Sequence, residues 1–266
     1  MSGPIEHLSD LEDPRLVPYR ALKEGDLVLR QGLFIAEGIT VVERLLSGSR
    51  YRARSLLVTE AKRQALSERL GPLSLPTYVL SQALMDQLVG FPIHRGCLAL
   101  GERGVLPDPA ALLSGARTVL VLAGLSNHDN VGSLFRSAIA LGADAVLLDE
   151  ESADPLYRKA IRVSMGAALS LPFARVTRAQ LPALLAEAGY ASWALTPAGA
   201  SGPLGPVRGK VALLLGTEGT GLPASLIDQA TLRLRIDMTP GMDSLNVGVA
   251  GAIALFLLRS AREQDQ

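Results

Sequence analysis

The sequence predicts an α/β protein: a small α/β domain followed by a larger one built on a parallel sheet. Three observations predict it. From Thr118 onward, aliphatic and β-branched runs alternate with helical spacings, the pattern of a parallel sheet covered on both faces. Upstream of Glu102 a shorter alternation fills about 100 residues, an ordinary domain size. Between the two, Gly104, Pro107, Pro109 and Gly115 mark a linker. We therefore expect a first domain over 1–105, a linker over 106–117 and a second domain over 118–266.

Residues 1–20 are polar, contain Pro14 and Pro18, and read as a loose lead-in. Phe34–Gly38 precedes Val41, Val42, Leu45 and Leu46, whose spacing fits one helix face. Ser55–Thr59 reads as a strand, Glu60–Leu70 as a helix and Thr77–Leu80 as a strand. Ser81 is a natural cap for a helix running to Val89. Gly96–Gly101 closes the domain as a strand. Within the linker, Ala110–Leu113 fits one helical turn. The second domain has strand candidates at Thr118–Leu125, Asp144–Asp149, Leu171–Val176, Ala191–Thr196, Lys210–Leu215 and Thr231–Asp237. Helical candidates lie between them at Val131–Leu141, Tyr157–Leu169, Ala179–Ala188 and Pro223–Gln229. The last long stretch, Ile236–Phe256, reads as a strand end, a polar loop and a helix from about Leu245.

Bulk properties narrow the function. The 26 Lys+Arg balance 26 Asp+Glu, so no global basic charge advertises nucleic acid, although local patches remain compatible with it. A lone cysteine, Cys97, excludes an internal disulfide and suits a reducing compartment. The polar start lacks a basic-then-apolar leader pattern, and the most apolar helix is shorter than the roughly 20 residues a bilayer span needs. A soluble cytoplasmic protein is expected. His7, His94 and His128 are too scattered to form a metal site with one cysteine, so none is expected.

Three polar loops follow predicted strands, and such loops gather at the carboxyl ends of an open α/β sheet, where ligands bind. Gly216-Thr-Glu-Gly-Thr-Gly221 frees the backbone to turn and lets a ligand approach it. It is neither a G-x-G-x-x-G fingerprint nor a phosphate-binding P-loop. Alone, it fits a tight turn before a Pro-initiated helix as well as it fits a ligand loop. In Asn130–Arg136, Asp129 or Asn130 suits a helix cap. Arg136 lies two turns in, beside apolar Leu134, Phe135, Ala138 and Ile139, so its burial would need a purpose. Ser244-Leu-Asn246 opens the last helix. Ser244 suits a cap, whereas Asn246 in the first turn offers both a donor and an acceptor.

Together these stretches resemble the three signature motifs of the SpoU (TrmH-type) RNA 2′-O-ribose methyltransferases of the SPOUT superfamily. The first is Asn130-x-Gly132-x-x-x-Arg136-x-Ala138. The second is Leu214-Leu-Gly216-x-Glu218-Gly219-x-Gly221-Leu222. The third is Ile236-x-Met238 followed by Ser244-Leu-Asn246-Val247. Tyr157–Gly166 resembles the family's stretch between the first two. The first domain resembles the ribosomal-protein-like RNA-binding module found ahead of this catalytic domain, through Phe34–Gly38 and the segment from Pro92 to Leu98. Two positions depart from the pattern. Asp237 stands where the family usually has Pro, and Gly248 where it often has Ser.

The resemblance implies a SPOUT fold with a C-terminal trefoil knot that binds S-adenosylmethionine. It places cofactor contacts at Thr196, Leu215, Gly216, Glu218, Gly221, Ile236, Met238, Ser244, Leu245 and Asn246. It assigns the chemistry to Arg136, Asn130, Glu218, Ser244 and Asn246, with Arg136 as either a base or a charged stabiliser of the reacting 2′-oxygen. It implies a homodimer, with Gly248 and Gly251 letting the last helix approach a partner helix or its own core. Arg50, Arg52 and Arg54, with Arg158, Lys159 and Arg162, are candidate RNA contacts. Ribosomal RNA is the first substrate candidate. Transfer RNA, a methyltransferase acting on a base nitrogen and a non-catalytic RNA-binding protein are the alternatives.

Overall fold

The structure is a computed structural model that describes residues 3–20, 26–90, 96–200, 205–239, 241 and 244–263. Residues 91–95, with Pro92 and His94, and residues 240, 242 and 243 of the last loop lie outside the described residues. The chain folds into two compact units. One comprises the residues up to Val105 together with Leu156–Ser170; the other comprises Leu106–Pro155 and the chain from Leu171 onward.

The first unit holds a five-stranded sheet of β1 (Ile5–His7), β2 (Leu33–Glu37), β3 (Arg52–Val58), β4 (Thr77–Val79) and β5 (Cys97–Glu102), in the order β1-β4-β3-β5-β2. Strands β1, β4 and β3 run parallel, and β5 runs antiparallel to both β3 and β2. Helices α1 (Ile39–Gly48), α2 (Glu60–Leu70) and α3 (Gln82–Val89) connect them. Ser81 caps α3 by accepting the Leu84 N–H at 3.3 Å, as the sequence predicts.

The lead-in is not loose. Ile5–His7 pairs with Thr77–Val79, and Pro14–Tyr19 forms a short helical turn. That turn buries Leu16 and Tyr19, whose hydroxyl lies 2.8 Å from Ser55 Oγ. A strand of three residues is too short to show alternation, and two prolines disguise the turn.

The second unit opens with α4 (Pro109–Ser114), where Asp108 accepts the Ala111 N–H. Then follow β6 (Thr118–Leu122), α5 (His128–Ala140) and β7 (Ala145–Leu148). After β7 the chain leaves for α6 (Arg158–Val163) and returns through β8 (Phe173–Arg175), α7 (Leu181–Glu187), β9 (Tyr190–Ala200) and β10 (Lys210–Leu215). It ends with α8 (Ala224–Asp228), β11 (Leu232–Leu234) and α9 (Val247–Glu263). All six strands are parallel, in the order β11-β9-β10-β6-β7-β8. Both sheet faces are apolar because both are covered: every residue of β6 and β7 is buried.

The excursion between β7 and β8 packs with the first unit, so no single linker divides the chain. Within that unit Arg44 donates to the Met165 carbonyl at 3.1 Å and Ser49 to the Leu169 carbonyl at 3.1 Å. One long helix was expected over Tyr157–Leu169. The chain instead breaks at Met165, which takes a φ of 52°, and at Gly166.

Helix α9 lies on α5 and β10. A Cβ on Gly251 would fall 2.4 Å from Leu134 Cδ2, and one on Gly248 would fall 2.8 Å from Ser133 Oγ. These small residues therefore serve packing within the chain. At its far end, Arg262 donates to Thr118 Oγ1 and to the carbonyls of Arg117 and Gly209 at 3.2 and 2.9 Å. The last helix is thus tied to the starts of β6 and β10.

A buried carboxylate fixes the other end of the sheet. Asp149, fully buried, accepts the N–H groups of Gly124 and Ser152 at 3.0 and 2.9 Å. Its second oxygen accepts Arg178 Nε and Nη2 at 3.0 and 2.6 Å. Burial pushes this carboxyl up, but the bonds from Gly124, Ser152 and Arg178 outweigh burial and hold its pKa below the ordinary 3.8. Asp149→Asn is expected to lower stability by about 2 kcal/mol at neutral pH. A depressed folded pKa gives a contribution that is full above 3.8 and vanishes as pH falls through the lower folded value. Urea unfolding of both proteins across that range should show the stability gap narrowing in acid. A constant gap would overturn this account.

Candidate active site

Strands β6 and β10 are neighbours in the middle of the sheet, in register from Thr118↔Val211 to Leu122↔Leu215. The chain runs outward from β6 in one direction and approaches β10 from the other side, so their carboxyl ends form the switch point where open α/β sheets bind ligands. All three polar loops leave from this edge.

The first loop follows β6 and enters α5. Asn127 is the cap, accepting the Asp129 N–H at 2.8 Å, so neither Asp129 nor Asn130 has that role. Asn130 sits inside the first turn, 7% exposed. Phe135 points inward onto Phe173, ring centroids 5.9 Å apart, which turns the next residue outward. Arg136 is consequently exposed rather than buried among its apolar neighbours, and Ile139 is exposed with it. Arg136 makes no side-chain hydrogen bond or ion pair with the described residues.

The second loop follows β10. Thr217 and Gly221 exchange backbone hydrogen bonds at 3.2 and 3.1 Å, and Thr217 Oγ1 accepts the Thr220 N–H at 3.1 Å. Two glycines are required here. A Cβ on Gly216 would lie 2.3 Å from the Gly221 carbonyl carbon, and Gly221 itself takes a φ of 72°. The closed turn presents Glu218 outward.

The third loop ends at Asn246, which caps α9. Its Oδ1 accepts the Gly248 N–H at 2.9 Å and the Val249 N–H at 3.4 Å. The helix therefore begins at Val247, and the cap is Asn246 rather than Ser244. The Asn246 amide nitrogen donates to Asn130 Oδ1 at 2.9 Å and to Glu218 Oε1 at 2.5 Å. One side chain joins all three loops.

Beside this junction lies a cavity of about 370 Å³. Its wall takes in Thr196, Leu215, Gly216, Glu218, Gly221, Ile236, Met238, Ser244 and Leu245. Asn246, expected among the cofactor contacts, is outside the wall and reaches it only through its bond to Glu218, and Arg136 and Asn130 are also outside the wall. Strand β9 runs on to Ala200, beyond the expected Thr196, and passes the cavity at Leu195–Pro197. Sequence reading missed Asn127, a short-range cap masked by two equally plausible neighbours. It also missed the Asp149–Arg178 pair, whose members are distant in the chain.

The candidate RNA contacts all belong to the first unit, including Arg158 and Arg162. Arg50, Arg52 and Arg54 are exposed, and Arg54 lies 3.3 Å from Glu102. Arg158 and Arg162 reach to 3.9 and 3.8 Å of the buried Glu37 carboxylate. No cluster of His, Cys, Asp and Glu suited to a metal ion occurs among the described residues.

Asn246→Ala should lower stability by about 2 kcal/mol, by removing a cap and leaving Asn130 and Glu218 without their donor. Asn246→Asp separates these effects. Aspartate is an equally good cap but offers Glu218 a like charge, so the loss should persist. An Asp variant as stable as the parent in thermal unfolding would reduce Asn246 to a helix cap.

The model of the SpoU rRNA methylase family matches residues 117–256. A Mycobacterium tuberculosis (H37Rv) protein described as an uncharacterised tRNA/rRNA methyltransferase is 39% identical over 262 residues, 95% of this chain and 91% of its own. The 23S rRNA (guanosine-2′-O-)-methyltransferase RlmB of Escherichia coli K12 is 28% identical over 82% of this chain and 95% of its own. In fold, the chain is similar to an AdoMet-bound rRNA methyltransferase from Sinorhizobium meliloti, with a TM-score of 0.82 over 96% of this chain and 98% of that one, at 24% identity. On the family match and the full-length mycobacterial likeness, the chain belongs to the SpoU rRNA methylase family.

Proposed function

We propose that this protein transfers a methyl group from S-adenosylmethionine to a ribose 2′-hydroxyl of ribosomal RNA, as a cytoplasmic homodimer. The observation that carries the reading is the Asn246 junction, where Asn130, Glu218 and Asn246 from three separate loops meet beside one cavity. The cavity fits the cofactor. Its volume of about 370 Å³ is in the range of small-molecule sites, and its wall is mostly aliphatic with a few polar groups. Backbone around Thr196, Leu215–Gly216, Ile236–Met238 and Leu245 would hold adenine, ribose and methionine. Polar main-chain edges suit a purine, so plain aliphatic side chains suffice there. The cofactor, when bound, supplies an electrophilic methyl on a sulfonium.

The ribose hydroxyl must lose its proton as it reacts. A guanidinium stays protonated at neutral pH, and no acceptor among the described residues pairs with Arg136. We therefore assign Arg136 to stabilising negative charge on the 2′-oxygen, whose proton passes to solvent water, rather than to proton abstraction. Asn130, Glu218 and Asn246 position the loops, and Ser244 shapes the cavity. The first unit, with Arg50, Arg52, Arg54, Arg158 and Arg162, is assigned to RNA. Exposed ion pairs such as Arg54–Glu102 are weak, so a phosphate can displace the carboxylate. Exposed Ile139, Val249 and Phe256, on the packed pair α5 and α9, support a dimer face. The trefoil knot expected of the C-terminal segment belongs to the same reading.

Nucleosides from the ribosomal and transfer RNA of cells with and without the gene test this by mass spectrometry. One 2′-O-methylnucleoside should disappear from the ribosomal fraction. Its loss from the transfer fraction would move the substrate, and loss of a base-methylated nucleoside would sink the ribose assignment. In vitro, Arg136→Ala should lower kcat about 100-fold or more while cofactor affinity stays near the parent value. An Arg136→Lys variant with near-normal turnover would exclude a guanidinium-specific role.

A further inference from the structure

Two charged side chains occur in the described wall of the cavity, Glu218 and Arg235. Glu218 is engaged by Asn246 at the junction. Arg235 follows the end of β11, where its backbone N–H donates to the Ala200 carbonyl at 3.0 Å and fixes its place beside β9. Its side chain turns back on Asp237, with Nε and Nη2 at 3.1 and 3.0 Å from the same oxygen, Oδ1. The two charges straddle Ile236, itself part of the wall. Arg235 and Asp237 are 44% and 65% exposed, so their mutual attraction is screened and adds little to folding. The fork of a guanidinium is, however, the side chain best matched to a carboxylate.

The amino-acid end of S-adenosylmethionine carries a carboxylate, and the described wall offers it one cation. We propose that Arg235 binds that carboxylate, with Asp237 as the positioning residue that orients the guanidinium. This deepens the cofactor reading given above and rests on it. It also gives Asp237 a role. A proline at that position, usual in the family motif, could not hold Arg235.

Calorimetric titration with three probes tests the assignment: S-adenosylmethionine, its decarboxylated analogue and 5′-methylthioadenosine, which lacks the whole amino-acid end. The parent protein should bind S-adenosylmethionine at least about tenfold more tightly than the decarboxylated analogue. Arg235→Met should erase that preference and leave 5′-methylthioadenosine binding within about twofold, which also shows the cavity intact. Asp237→Asn should reduce the preference without abolishing it. Equal affinity of the parent for both sulfonium compounds overturns the proposal without any variant. So does an Arg235→Met protein that loses all three probes together, since Arg235 would then serve the nucleoside or the scaffold. Failure of S-adenosylmethionine to bind the parent would instead reject the cofactor reading itself.

Discussion

The site depends on one amide. Asn246 has an oxygen that two backbone N–H groups of α9 occupy and a nitrogen shared between Asn130 and Glu218. Each interaction alone is modest. Together they use the donor and acceptor halves of one side chain to join loops that leave β6, β10 and β11. A carboxylate could cap but not donate, and an aliphatic residue could do neither. The same demand explains why Asn130 lies inside α5 rather than at its cap: there its side chain faces across the sheet edge. Asn127 takes over the capping that Asn130 is then free of.

Around this junction the parallel sheet supplies rigidity. The central strands are buried on both faces, so the loops at their carboxyl ends start from fixed points. Asp149 carries that order outward by tying Gly124, at the exit of β6, to Ser152 and Arg178. Polar atoms buried at a sheet edge are costly unless paired, and here each donor meets an acceptor. The exposed charged groups of the site are Arg136 on its helix, Glu218 on its turn and Arg235 at the cavity wall.

Much of this was legible in the sequence because it is periodic or local. The alternation of strands and helices in the second unit, the full extent of Lys210–Leu215 and the cap at Ser81 follow from spacing and residue chemistry over a few positions. Nine of the ten cofactor contacts that the family resemblance implies line one cavity, and the tenth, Asn246, does not, because the motifs that carry the resemblance are local stretches at strand ends. What failed was of another kind. Ser244 and Asn246 are both good caps, and only the distant Asn130 and Glu218 decide between them. The apolar chain neighbours of Arg136 leave open whether it is buried, and helical geometry, which sends adjacent residues to different faces, keeps it exposed. The packing of Leu156–Ser170 with the first unit has no periodic signature at all.

Helix α9 is held at both ends, at Asn246 by the loops and at Arg262 by the starts of β6 and β10. It therefore works as a ruler laid across the sheet. Each residue in a helix advances it about 1.5 Å and turns it about 100°. Adding or removing one residue between the two anchors would leave either the amide or the guanidinium facing the wrong way, whatever that residue was. The count of residues in this helix is thus as much a part of the site as their identity, and single-residue insertions there should be tolerated far less well than substitutions on its exposed face.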